Sequence, residues 1–112
     1  MIQQISHRKE RVNELIKREL VILLKQDTKD PRLQDVVITD VIVSRDLGSA
    51  KVFFSVAEES QKIVSSLLNK ASGFFRSRLS KGLDLRHTPA LRFIYDTAPN
   101  TGVKMDKLLK KL

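Results

Sequence analysis

No cysteine occurs in the 112-residue chain, which leaves neither a disulfide framework nor a thiolate metal site. Aromatic residues make up only 5%, five phenylalanines and one tyrosine, where a general single-strand binder needs aromatic platforms for stacking. No apolar run is long enough to span a bilayer, and no lipidation signal is present. The opening "MIQQISHRKERV" turns charged where a secretory leader needs an apolar stretch. A phosphate loop of the Walker type is missing as well, so no nucleotide site is marked. Negative charge is the other deficit, with 13 Asp and Glu against 21 Lys and Arg and a net charge of +8. That excess suits a polyanion, because each phosphate neutralised by Lys or Arg releases condensed counterions. With 41% hydrophobic residues the chain can bury one core. A single domain over residues 1–112 is therefore expected, cytoplasmic, with nucleic acid rather than membrane as its partner.

Apolar periodicity supplies the elements. Val12, Leu15, Ile16, Leu20, Leu23 and Leu24 recur at helical spacing, which predicts a first helix from about Ser6 to Leu24 with Ser6 as N-cap. His7, Arg8, Lys9 and Arg11 would then crowd the positive end of the helix dipole, a mildly unfavourable placement that points to phosphate contact. Glu19 falls inside the apolar arc and is expected at its edge or beside a cation. Pro31 forbids helix and pushes Asp30 towards extended geometry. "VVITDVIVS" predicts a strand over Val36 to Ser44, and "RDLGS" a turn. "AKVFFSV" predicts the returning antiparallel strand, with Ala50, Val52, Phe54 and Val56 on one face. A second helix follows through Ile63, Val64, Leu67, Leu68 and Ala71, and a last strand spans roughly Ala90 to Tyr95. Residues 97–112 form a tail too short to stand alone as a helix, which either docks or folds upon a partner.

Between the second helix and that strand lies "LLNKASGFFRSRLSKGL". At 100° per residue an unbroken helix would carry Arg78 into the apolar stripe, and an unpaired buried guanidinium is costly. Interruption at Ser72 and Gly73 would let Phe75 and Leu79 face the core and turn Arg76 outward. It would also leave free N–H groups among cations, an anion-binding corner. The predicted order is α-β-β-α-kink-α-β, an α+β two-layer domain with helices on one face of a three-stranded sheet, similar to a type II KH domain.

The chain resembles the ribosome-binding factor A family over almost its whole length. "RKERV", "KDPRL", "VSRDLGSAKVFFSV", "ASGFFRSRL" and "LRHTPALRFIYD" carry the likeness, five pieces in order. The resemblance implies a KH-like fold in which "ASG" replaces a GXXG loop, and no catalysis or cofactor. It implies binding to the immature small ribosomal subunit, near the 5′-terminal helix and decoding region of its ribosomal RNA. Association with growth in the cold and release by a ribosome-associated GTPase belong to the same expectation, as does a monomer. The family's kink falls on Ala71 to Gly73, and its basic positions on Arg8, Arg11, Arg45, Arg76, Lys81 and Arg86. Those cations are the expected phosphate contacts, with Ser72 and Gly73 as backbone donors. Arg45 has a second reading, bracing the turn with Asp46, and Arg86 as a cap or ion pair. Many members carry a longer charged C-terminal extension, whereas this sequence stops at Leu112. Against an enzyme stands the lack of any spacing between His7 and His87, or among Asp30, Asp35, Asp40 and Asp46, that suggests metal or a triad. The rivals are a permanent ribosomal protein and a general single-stranded RNA binder.

Overall fold

The computed structural model describes residues 2–26, the first eight of them by backbone alone, and residues 28–85 and 87–97. Helix α1 (Ile2–Gln26) starts ahead of Ser6, which lies inside it and is not its N-cap. Nothing in "IQQI" opposes helix, so a residue able to cap continues it instead. The cations at 7–11 consequently sit beyond the first turn, where the helix dipole weighs little. At the other end Thr28 Oγ1 donates to the Leu24 carbonyl (2.6 Å). The apolar face is as expected, with Val12, Ile16, Leu20, Leu23 and Leu24 all buried.

Asp30 is extended (φ −78°, ψ 116°) before the 3₁₀ turn Pro31–Leu33, as a residue preceding proline should be. Strands β1 (Val37–Val43), β2 (Ser49–Ser55) and β3 (Ala90–Tyr95) form one sheet in the order β1-β2-β3. β1 and β2 pair antiparallel, while β3 runs parallel to β2. A parallel neighbour requires a crossover, supplied by helices α2 (Gln61–Lys70) and α3 (Ser72–Gly82). α1 packs on β1, α2 and α3 pack on β3, and α1 meets α3. The order and the α+β architecture match the sequence-based expectation. The core between the layers holds Ile16, Leu20, Val43, Val52, Phe54, Val64, Leu68, Phe75 and Leu79, each with 0% exposure. On the other face of the sheet Ile42, Lys51 and Arg92 align across the three strands and are exposed.

β1 contains a bulge between Ile38 and Asp40. Without it, strict alternation would place Asp40 on the face of Ile38 and turn Val41 and Val43 outward. The extra residue lets Ile38, Val41 and Val43 all face the core. Both sheet edges meet side chains. Along β1, Val43 N–H donates to Asn13 Oδ1 (2.9 Å), and Val41 N–H to Asp40 Oδ1 (2.9 Å). Lys17 Nζ approaches the Thr39 carbonyl at 3.5 Å. Along β3, Asn69 accepts from Phe93 N–H (2.9 Å) and donates to the Phe93 carbonyl (3.0 Å), as a strand residue would.

Candidate functional site

The joint is a single residue. Ala71 (φ −91°, ψ 6°) separates α2 from α3, and Ser72 and Gly73 are already helical, so the expected interruption at Ser72 and Gly73 lies one residue earlier. Backbone bonds still span it, with Ala71 N–H to the Leu67 carbonyl (3.0 Å) and Phe75 N–H to the Ala71 carbonyl (3.1 Å). This is a kink rather than a gap. The first turn of α3, containing Ser72, Gly73 and Phe74, has no side-chain cap at Ala71 and no acidic residue.

The kink has the consequence expected of it. In an unbroken helix Arg78 would lie between Leu67 and Ala71 on the buried side. Instead Phe75 and Leu79 are buried while Phe74, Arg76 and Arg78 are exposed. Phe75 packs on Phe93 of β3 at a centroid distance of 5.6 Å. Arg78 places its guanidinium 5.3 Å from the centre of the Phe74 ring. Phe74 is the aromatic side chain that sequence reasoning missed. With Phe75 assigned inward, helical spacing alone turns its neighbour outward.

Gly73 has a negative φ, and among the described residues a Cβ built there meets nothing within 4 Å beyond its own stretch of helix. Its absence of side chain is therefore not a packing requirement, and Gly73→Ala should stabilise the fold by up to about 1 kcal/mol of helix propensity. A urea titration checks this; a loss of stability would show that the first turn of α3 needs glycine's freedom. Gly82 differs, because a Cβ there would come within 2.9 Å of Glu19 Oε1. Glu19 thus occupies the edge of the α1–α3 contact, in the room that glycine leaves.

The remaining expected contacts come from several elements. Arg11, one residue before Val12 on α1, is exposed, as are Arg45 in the hairpin turn and Lys81 near the end of α3. None of these three takes part in an ion pair among the described residues. Arg76 Nε donates to the Thr88 carbonyl (3.1 Å), and Ala90 N–H to the Gly48 carbonyl (3.0 Å). Since Asn13 of α1 reaches Val43, these bonds bring Arg11, Arg45 and Arg76 to the hairpin end of the sheet. Lys81 lies farther along α3, by the Glu19–Gly82 contact. Arg8 is on α1, whereas Arg86 and the tail from residue 98 lie outside the described residues.

Arg45 does not brace its turn through Asp46. The Asp46 carboxylate accepts from Ser44 Oγ (2.7 Å) and Gly48 N–H (2.9 Å), and these bonds hold its pKa below the ordinary carboxylate value. Leu47, not Gly48, takes the left-handed conformation (φ 61°). The Arg32 guanidinium lowers the Asp30 pKa in the same way, through hydrogen bonds and an ion pair of 2.9 Å. Concavities of about 150 Å³ beside Val21 and Val36 and about 240 Å³ beside Ile42 and Lys51 are smaller than the roughly 300–1,000 Å³ of small-molecule sites. Among the described residues no group of three His, Cys, Asp or Glu could hold a metal, and no helix is long and apolar enough to cross a membrane.

The family model of ribosome-binding factor A matches residues 8–109. Ribosome-binding factor A of Ruthia magnifica subsp. Calyptogena magnifica is 63% identical over 112 residues, covering all of both chains. The crystal structure of ribosome-binding factor A from Thermus thermophilus is similar in fold, with TM-score 0.70 and 24% identity over 78% of this chain and 94% of that one. A homology model of the Thermus thermophilus factor, fitted into a cryo-electron microscopy map of its 30S complex, is similar with TM-score 0.63 and 25% identity, over 77% and 92% of the two chains.

Proposed function

Because the chain belongs to the ribosome-binding factor A family, we propose that it binds the immature small ribosomal subunit through the kink and the cations around it, aids late maturation, and catalyses nothing. The observation that carries this reading is the charge of the crossover. From Gln61 to Gly82 the only ionisable side chains are Lys62, Lys70, Arg76, Arg78 and Lys81. A crossover that carries charge of a single sign is poorly designed for self-pairing and well suited to a phosphate backbone. The similar Thermus thermophilus protein fitted in a 30S complex supports the choice of particle. Within the subunit, the 5′-terminal helix and the decoding region of the ribosomal RNA are the proposed contacts. Action as a cytoplasmic monomer, release by a ribosome-associated GTPase and a role in growth in the cold complete the proposal.

Phosphate contacts have a salt signature. Affinity for purified immature subunits should fall linearly on a logarithmic scale with salt, and Arg45→Ala and Lys81→Ala should each flatten the slope by about one while leaving thermal stability unchanged. Affinity independent of salt would overturn the phosphate reading. Equal affinity for immature and mature subunits would overturn the role in maturation and leave a permanent ribosomal protein.

A further inference from the structure

We infer that Phe74 and Arg78 form a stacking site for one unpaired nucleobase, an inference that rests on the RNA-binding reading above. A lone exposed apolar side chain needs no explanation, but three features set this one apart. First, among the described residues Ile22, Val37, Ile42, Ile63 and Phe74 are the exposed large hydrophobics, and Phe74, at 40% exposure, is the aromatic one. It stands on the charged crossover, with Arg76, Arg78 and Lys81 within two turns of it. Second, its ring is firmly based. The buried Phe75 meets it edge-on at 5.4 Å and 70°, and Phe75 is itself packed on Phe93. Third, the flank is open among the described residues, since Gly73 presents no side chain and nothing beyond its own stretch of helix lies within 4 Å of its Cβ position. A ribose and its phosphate can approach the first turn of α3 there.

Arg78, at helical spacing of four from Phe74, already lies over the ring with its guanidinium 5.3 Å from the ring centre, so a base extends this stack rather than entering between the two groups. Aromatic rings and guanidinium planes both stack on splayed-out bases, and every base offers a π-face. The site therefore takes any unpaired base, with purines favoured by their larger area. Phosphate contacts alone would attach the protein to helical and single-stranded RNA alike. A stacking site adds a preference for a strand whose base is free, which fits RNA that has not yet paired. A protein partner with an apolar side chain is the competing occupant, and the charge of the surroundings argues against it.

The chain has no tryptophan, so Phe74→Trp places a unique fluorophore at the site. Titration with immature small subunits, and separately with hexa-adenylate and hexa-uridylate, should quench its emission, more strongly with adenylate. Phe74→Leu, which keeps an apolar side chain without a π-face, should weaken subunit binding about tenfold, whereas Phe74→Tyr should not. The Leu variant should keep the wild-type salt slope, because no phosphate contact is lost. Wild-type affinity in Phe74→Leu, or a blue shift without quenching as expected for an apolar protein partner, overturns the stacking site and leaves the RNA-binding reading standing. Wild-type protein that shows no salt-dependent subunit binding overturns both.

Discussion

Phe75→Ala should destabilise the protein by about 3–5 kcal/mol, while Phe74→Ala, one residue earlier, should change stability by less than about 1 kcal/mol. The contrast follows from the kink at Ala71, which sends one ring to 0% exposure and the other to 40%. Phe75 fills the space between α3 and β3 against Phe93, and removing it leaves a cavity that neighbouring strands cannot close. A small domain commands about 5–15 kcal/mol in total, so the first variant should lie near the threshold of folding. Urea denaturation of both, with m-values compared to confirm two-state unfolding, measures the pair. Similar losses would mean that the two rings share the core and that the kink does not decide which one faces it.

Asn69→Ala should cost about 1–3 kcal/mol and release the Phe93 amide to rapid hydrogen exchange. The side chain is exposed by area, yet it satisfies both the N–H and the carbonyl of Phe93 and donates to the Ser65 carbonyl at 3.0 Å. Loss of these partners leaves partly buried backbone groups to water or to nothing. Asn69→Asp should not rescue, because a carboxylate still accepts from Phe93 N–H but turns an oxygen towards two carbonyls. Native-state exchange followed by NMR reads the effect residue by residue. Unchanged protection at Phe93 would show that α2 shields the strand without this side chain.

The element order was legible because β-branched runs and helical stripes are local signals. The sites of irregularity were less so. Sequence points to Gly73 as the breaker, yet the chain breaks at Ala71, whose φ and ψ any residue can adopt. The bulge at Ile38–Asp40 could have been found by the same phase reasoning applied to the kink, since Asp40 stands two residues from Ile38 and Ile42. Left-handed Leu47 beside Gly48 could not, because it depends on Asp46 gathering Ser44 and Gly48 and on a leucine packing against the core. The roles of Asn13 and Asn69 are tertiary and leave no local trace. The placement of Arg11, Arg45 and Arg76 at one end of the sheet was equally invisible, since three separate elements deliver them there.

Asn13, Lys17, Asp40 and Asn69 occupy the open hydrogen-bonding positions of β1 and β3. An unblocked edge is a template on which further chains can add, and most proteins disarm it with charge, proline or short strands. Here the disarming is done by individual plugs, three along β1 and Asn69 on β3, so the β3 edge stands a single substitution from being opened at Phe93. A chain altered at such a position would keep its whole core, fold, and then polymerise through the opened strand. The harm done by losing such a plug would therefore rise with protein concentration, whereas the harm done by losing a buried valine would not.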